Sequence, residues 1–291
     1  MHRLTHSKKP TPAFFTKKSG FLFLSILFSG LFAAVSAGAQ GNLMLMQKRV
    51  VFEGGRRIAT VEYGNSGRDT ARYTVSLVHL RMNGDGSMER IAKPGPGDLF
   101  ADSYVRYFPH NIVLAPGESQ TMKIQLINTR DMKPGEYRSH LYFRATPQNN
   151  AEAGETDRNN REGISVSLKA VFGITIPLIV RAGPGNASAQ LTDVALKDEN
   201  GTPYVEFNIL RSGNFSVYGD ITVTHVSPSG KETIIGKVKG VAVYTPGTLR
   251  RNRLSLVNGE KADLQRGKLI ISYDRQTEKE GTPMATAELQ L

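Results

Sequence analysis

Residues 163–181 read GISVSLKAVFGITIPLIVR, and every even-numbered position from 164 to 180 is apolar. Side chains of a β-strand alternate between its two faces, so this pattern predicts one long strand with a continuous apolar stripe. The residues of the stripe are Ile164, Val166, Leu168, Ala170, Phe172, Ile174, Ile176, Leu178 and Val180. An ordinary strand has only about 5 or 6 residues, so we do not expect one β-sandwich to bury the whole stripe.

The opposite face of this strand is mostly polar and includes Pro177. Its other members are Ser165, Ser167, Lys169, Gly173 and Thr175, interrupted by Val171. Proline donates no hydrogen bond to a sheet and is confined to edges, strand starts and bulges, so we expect an edge strand. An exposed apolar edge invites another chain to pair with it, which is one interpretation of the stripe. Packing within the protein's own core is the alternative.

The first 39 residues have the pattern of a secretory signal peptide. Five Lys or Arg side chains and no acidic residue precede or flank a largely apolar run from 21 to 35, and Ala37-Gly38-Ala39 fits the small-x-small cleavage rule. The apolar run is short for a membrane span of about 20 residues, so a retained signal anchor is the less favoured interpretation. We therefore expect cleavage after Ala39 and secretion through the inner membrane.

Composition excludes several classes of function. Without the five cations of the signal segment the formal charge falls from +11 to +6, and the one dense basic cluster, Arg250, Arg251 and Arg253, is typical of a solvated strand face, so no nucleic-acid partner is expected. The chain has no cysteine, which excludes a disulfide scaffold, a thiol nucleophile and a zinc-thiolate site.

Short alternating runs separated by turn residues predict an all-β protein with two immunoglobulin-like β-sandwiches in tandem. The predicted domains are residues 40–182, which include the edge strand 163–181, and residues 183–291, because the composition changes at 181–188. Residues 43–52 are predicted as one strand. Residues 147–162 lack large apolar side chains, and we expect a mobile loop there.

Motifs that carry catalytic chemistry are missing from the sequence. The four histidines outside the signal segment, His79, His110, His140 and His225, have no metal-ligand spacing, and no nucleophile elbow or phosphate-binding glycine loop occurs. Residues 83–87, NGDGS, are interpreted as a hairpin turn. We therefore expect no catalytic residue, metal or cofactor, no small-molecule substrate, and no enzymatic activity.

Four segments resemble the PapD-like family of periplasmic pilus-assembly chaperones. Residues 49–54, RVVFEG, are similar to its first-strand signature, and residues 114–118, LAPGE, to its proline-glycine turn. Tyr142-Phe143 followed by Pro147 is similar to its Tyr-Phe strand, and residues 176–181, IPLIVR, to the end of its long strand. The matches lie in the first predicted domain, and the chain has the features of a divergent branch.

The resemblance implies two sandwiches in a boomerang arrangement and a chaperone that lends its long strand to a pilin-like subunit. It places Ile164, Val166, Leu168, Ala170 and Phe172 in the subunit's groove, and Ile174 to Val180 in the chaperone's own core. Pilin-like subunits and an outer-membrane usher are the implied partners, and the unliganded protein is a candidate for self-association.

The resemblance also assigns roles to basic residues. It implies that Arg49 holds the subunit's C-terminal carboxylate and that Arg181 stiffens the domain junction, with Asp274 as the candidate partner. The family's second basic anchor falls on Pro177, so Arg138 and Lys169 are the candidates to replace it. The alternative function is a surface or adhesin-like structural protein whose long strand pairs permanently within its own assembly.

Overall fold

The computed structural model describes residues 42–146, 171–257, 262–276 and 283–291. Apart from two short 3₁₀ turns, Asp102–Tyr104 and Thr129–Asp131, the regular structure of these residues is all strand, which confirms the all-β prediction. No helix in these ranges is long and apolar enough to cross a membrane. The predicted loop 147–162 and the stripe residues Ile164, Val166, Leu168 and Ala170 lie outside the described residues.

The first sandwich consists of two sheets. Its strands are β1 (Leu43–Leu45), β2 (Val50–Phe52), β3 (Ile58–Asn65), β4 (Ala71–Val78), β5 (Leu80–Met82), β6 (Met88–Arg90), β7 (Val105–Phe108), β8 (Asn111–Leu114), β9 (Ser119–Leu126), β10 (Gly135–Ala145) and β11 (Gly173–Ala182). One sheet has the order β1-β3-β9-β7 and the other β2-β11-β10-β4-β8, while β5 and β6 form a separate two-stranded ribbon. The predicted hairpin turn at 83–87 joins β5 to β6.

The predicted single strand over residues 43–52 is wrong. The chain forms β1 in one sheet, leaves it after Leu45, and forms β2 in the facing sheet. The physical reason is that both halves can then bury apolar side chains between the sheets, with Leu43 from β1 and Val50 and Phe52 from β2 all buried. Around them the core contains Tyr63, Leu141, Phe143 and Leu178.

The second sandwich follows directly in the chain. Its strands are β12 (Ala187–Glu199), β13 (Thr202–Gly213), β14 (Val217–Val226), β15 (Glu232–Val243), β16 (Leu249–Ser255), β17 (Lys268–Arg275) and β18 (Pro283–Gln290). They form sheets of order β12-β13-β16 and β15-β14-β17-β18 around a core that includes Phe207, Ile221, Ile271 and Tyr273. The buried Tyr273 hydroxyl donates to the Val241 carbonyl at 2.8 Å.

A buried histidine makes the stability of this fold sensitive to acid. His140 on β10 is 3% exposed, its Nδ1 has no hydrogen-bond partner among the described residues, and the Tyr244 ring of the second sandwich lies 6.5 Å away. Burial, together with the nearby Arg138 and His79, lowers the pKa of His140 from 6.5 to about 3. Between those two pH values the unfolded chain binds a proton that the folded protein does not.

We expect the free energy of unfolding to fall as the pH drops below about 6.5, with a contribution from His140 of up to about 1.4 kcal/mol per pH unit. Urea unfolding at a series of pH values from 7.5 to 4 measures it. The His140→Gln variant should show a flatter dependence, whereas His110→Gln, which changes an exposed histidine, should match the wild type. Identical slopes in all three proteins would contradict the assignment.

Candidate partner-binding site

Strand β11 is an edge strand over its first half only. It pairs antiparallel with β10 along its whole length, from Gly173 opposite Arg144 to Ala182 opposite Gly135. On its other side β2 pairs with it in parallel, but only at residues 178–180. Among the described strands, residues 173–177 therefore have a neighbour on one side alone. The edge prediction is right for this half, and wrong for the end of the strand because β2 covers it.

The apolar stripe becomes progressively buried along β11. Phe172 is 66% exposed and Ile174 is 40% exposed, whereas Ile176, Leu178 and Val180 are buried. Burial of the last three in the protein's own core is as predicted, but burial of Ile174 is wrong, because Ile174 is the second residue of β11 and lies at the end of the strand farthest from β2. The structure thus leaves Phe172 and Ile174 open to a partner, and the binding role of Phe172 stays a prediction.

A glycine keeps the outer face of the free half flat. Gly173 packs under the ring of Tyr142 on β10, so closely that a Cβ at position 173 would collide with the ring. An aromatic ring laid across a strand glycine fixes the pairing of the two strands and covers backbone that would otherwise be exposed. The start of β11 is therefore held in register with β10 even though it has no neighbour on its other side.

A small cleft lies beside the start of β2. Its volume is about 90 Å³, and its wall includes Arg49, Arg181, Tyr218, Arg275 and Gln276. The described lining contains three arginines and no carboxylate, so its charge favours an anion. The Arg49 guanidinium lies over the Tyr218 ring with its central carbon 4.2 Å from the ring centroid, and its buried Nε has no hydrogen-bond partner among the described residues.

The second wall of this cleft was not identified from the sequence. Tyr218 is the second residue of β14, and Arg275 ends β17 opposite Gly219. Both reach the cleft through the packing of the second sandwich against the first, which a local sequence pattern does not encode. The candidate Arg138 is not part of the described lining and is engaged elsewhere, and the candidate Lys169 lies outside the described residues.

Arg138 makes contacts that tie the two sandwiches together. Its Nη1 donates to the Thr245 carbonyl at 3.0 Å and its Nη2 to the Leu80 carbonyl at 3.1 Å, while the guanidinium lies over the Tyr244 ring. Burial lowers the pKa of Arg138. With two of its nitrogens committed to carbonyl oxygens, Arg138 is poorly placed to replace the family's second anchor.

Arg181 pairs with two glutamates, and the predicted pairing with Asp274 is wrong. Its Nη1 lies 2.8 Å from Glu53 Oε2 and its Nε lies 3.2 Å from Glu136 Oε2. The reason is register, because Glu136 on β10 stands directly opposite Arg181 on β11. Asp274 instead accepts a hydrogen bond from the Ser272 hydroxyl at 3.0 Å. Arg181 and Asp274 therefore do not act as a pair.

Glu136 is the junction residue that the sequence analysis missed. Its side chain is fully buried and accepts hydrogen bonds from the Ser216 backbone N–H at 2.9 Å and from the Ser216 hydroxyl. Arg181 reaches the same segment, since its Nη2 donates to the Ser216 carbonyl at 3.1 Å. One carboxylate of the first sandwich therefore binds both the end of β11 and the residue that precedes β14 in the second sandwich.

One cluster has the residue types of a hydrolytic triad without its geometry. Ser139 Oγ lies 3.3 Å from His79 Nδ1, and His79 Nε2 lies 3.6 Å from Asp102 Oδ2. Ser139 is completely buried, however, and its oxygen accepts a hydrogen bond from the Ala101 N–H at 3.0 Å. A substrate could not reach this oxygen, so the cluster holds a loop against β10. No group of potential metal ligands occurs within the described ranges.

A scan against protein-family models finds no match, and a comparison with curated protein sequences also finds none. Many solved structures similar to this chain are fimbrial chaperones. The class 5 fimbriae chaperone CfaA is 12% identical, with 86% of this chain and 98% of that chain covered and a TM-score of 0.42. The E. coli chaperone DraB is 14% identical, with coverage of 87% and 98% and a TM-score of 0.41.

A structure of the Salmonella enterica SafA pilin in complex with the SafB chaperone is also similar. Its identity is 15%, its coverage is 88% of this chain and 99% of that chain, and its TM-score is 0.39. At such identities the likeness concerns the fold alone.

The buried junction gives a direct test of stability. We expect Glu136→Ala to lower the free energy of unfolding by about 3 kcal/mol, because it leaves the Ser216 N–H and part of Arg181 buried without an acceptor. Glu53→Ala removes the other carboxylate from the same arginine, but Glu53 is 58% exposed, so its loss should cost less than about 1 kcal/mol. Urea unfolding of both variants measures the difference, and equal small losses would contradict a structural role for Glu136.

Proposed function

We propose that this chain is a non-enzymatic periplasmic chaperone that captures pilin-like subunits by lending them the first half of β11. The observation that carries the proposal is the combination found at residues 172–177, an edge without a second neighbour among the described strands and exposed apolar side chains beside it. An outer-membrane usher would receive the captured subunit. The sequence resemblance to PapD-like chaperones supports the same function independently.

The physical gain from pairing has two sources. A strand of the partner would satisfy the free backbone groups of residues 173–177, and the partner's groove would bury Phe172 and Ile174. Each such side chain stabilises by roughly 1.5 to 3 kcal/mol when it is fully removed from water. The even-numbered residues Ile164, Val166, Leu168 and Ala170 continue the stripe in the sequence, so the proposed contact includes them.

The cleft suggests which end of the partner's chain lies there. Strand β2 begins at Val50 and occupies the edge of β11 from Leu178 onward. A partner strand added at residues 173–177 would therefore meet the start of β2 and lie beside Arg49, the residue before Val50. The unpaired Nε of Arg49 and the Arg275 guanidinium favour a carboxylate at this point. A C-terminus placed there makes the added strand parallel to β11.

Phe172 and Val171 are neighbours on opposite faces of the predicted strand, and substituting each in turn tests the role of the apolar stripe. Phe172→Asp should abolish capture, because a charge would be buried in the partner's groove, whereas Val171→Asp should leave capture within a few-fold of wild type. Both side chains are exposed, so neither change should unfold the protein. Tagged protein purified from the periplasm of the native host, with the captured chain identified by mass spectrometry, gives the measurement.

The outcome distinguishes the alternatives. Capture of a pilin-like subunit that is lost only in Phe172→Asp supports strand lending. Equal loss in both variants would mean that a broad surface contact, rather than the stripe, holds the partner. Purification of the wild type as a polymer of this chain alone would favour the structural-protein function instead.

A second prediction concerns the C-terminal carboxylate of the captured subunit, which Arg49 is proposed to bind. Arg49→Ala should weaken binding of a peptide from the captured subunit's C-terminus by about 1.5 to 3 kcal/mol, the value of a hydrogen bond to a charged group. Amidation of the peptide should cost the wild type a similar amount and cost Arg49→Ala little more, because the two changes delete one interaction. Arg72→Ala, at an exposed arginine on β4, is the control. Additive losses from the two changes would show that Arg49 does not bind the terminus.

A further inference from the structure

The β5–β6 hairpin, residues 80–90, belongs to the sheets of neither sandwich. It leaves the first sandwich directly after β4, and its two strands pair only with each other, with Met82 opposite Met88. An isolated two-stranded ribbon is marginally stable in water. The hairpin must therefore take its stability from what it packs against, and beside its contacts with the first sandwich at its base it contacts the second sandwich.

Met82 connects the hairpin to the second sandwich through the hydrophobic core. It is 8% exposed and packs in the same apolar cluster as Phe207, Ile221 and Tyr273. It is thus a side chain from the first half of the chain that completes the core of the second half. Removing it from water stabilises the docked arrangement alone, because in an undocked hairpin the same side chain would be exposed.

The tip of the hairpin is attached to the edge of β16. The Gly84 carbonyl accepts a hydrogen bond from the Arg251 backbone N–H at 2.6 Å. Gly86 has a φ of +84° and lies against Arg250, where a Cβ would come within 2.7 Å of Nε. Asp85 gives the tip its shape by accepting from the Ser87 N–H at 2.9 Å and from its hydroxyl at 2.6 Å.

The base of the hairpin is attached as well. Arg138 donates both to the Leu80 carbonyl at the start of β5 and to the Thr245 carbonyl of the second sandwich. The loop that follows the hairpin is held to it by an ion pair between Arg81 and Asp98, and its Gly97 packs against Pro246. Base, middle and tip of the hairpin are therefore all bound to the second sandwich or to residues that touch it.

We infer that the β5–β6 hairpin is a strap that fixes the angle between the two sandwiches and so presets the cleft between Arg49 and Arg275. The chain linker, the Glu136–Ser216 contact and the Arg138–Thr245 contact form one junction, because the Thr245 N–H donates to the Ser216 hydroxyl at 3.1 Å. A single junction can act as a hinge. Met82 and the hairpin tip, which contacts Arg250 and Arg251 of β16, are a second attachment, and two attachments restrict rotation about either. The effect on partner capture rests on the function proposed above, whereas the effect on domain geometry does not.

The experiment measures the distance between the sandwiches without any partner. The chain has no cysteine, so Lys123→Cys on β9 and Lys237→Cys on β15, both exposed positions, allow spin labels to be placed uniquely. Pulsed electron–electron double resonance should give one narrow distribution of the distance between the two spin labels in the otherwise unchanged protein. Met82→Asp, which expels the hairpin from the second core, should broaden or shift it. Met88→Asp, at the opposite and more exposed methionine, should leave it unchanged.

A second variant decides the question if Met82→Asp does not fold. Replacing residues 83–87 by Asn-Gly keeps Met82 and closes the hairpin with a two-residue turn. It removes the contacts of Gly84 and Gly86 with β16. This variant should also broaden the distribution. A narrow, unshifted distribution in a folded Met82→Asp protein, or in the shortened variant where Met82→Asp does not fold, would overturn the proposal.

Capture by the same proteins separates this inference from the proposed function. If the strap variants adopt the competent domain arrangement in only about a tenth of the molecules, capture of the pilin-like subunit should weaken about tenfold. If the spin-label distance changes in the strap variants while the wild type captures no subunit, the strap is supported and the chaperone function is contradicted. Capture that is unchanged despite a broadened distance would show that the angle does not preset the cleft.

Discussion

A single buried carboxylate, Glu136, sets the arrangement on which the rest of the molecule depends. Burying a charge is costly unless hydrogen-bond donors surround it, and here the Ser216 N–H, the Ser216 hydroxyl and Arg181 supply them. Two of these donors belong to Ser216, which precedes β14 of the second sandwich, and the third to Arg181 at the end of β11. The end of β11 is therefore held in the junction, and β2 covers its edge there, whereas residues 173–177 have no second neighbour among the described strands.

The same contacts determine the charge of the cleft. Arg181 is neutralised by Glu53 and Glu136, whereas Arg49 and Arg275 have no ion pair among the described residues. Two uncompensated cations in a small cleft create a site for an anion. The Tyr218 ring holds the Arg49 guanidinium in place without reducing its charge. A stacked arginine is thus positioned before any ligand arrives, which lowers the entropy lost on binding.

Local patterns in the sequence predicted the all-β fold and β11, because alternation with a period of two is a property of one strand. The predicted strand 163–181 was wrong at Val171 and Phe172, since β11 begins only at Gly173. They could not predict that Glu136 faces Arg181, since the register of β10 against β11 is a pairing of two strands far apart in the sequence. Nor could they show that Met82 packs in the second core, because its own strand has only three residues and no periodicity. The sequence also placed Ile174 inside, because the stripe itself does not mark where the core ends.

Two other edges of the protein differ from the exposed half of β11. Strand β15 is also an edge, and it presents the exposed cations Lys237 and Lys239, which oppose pairing with another chain. The edge of β16 is covered by the hairpin tip through the Gly84 carbonyl. By contrast, residues 171–180 contain no charged side chain at all. The free half of β11 offers no charge that would oppose an added strand, which is the property that the proposed capture of a partner requires.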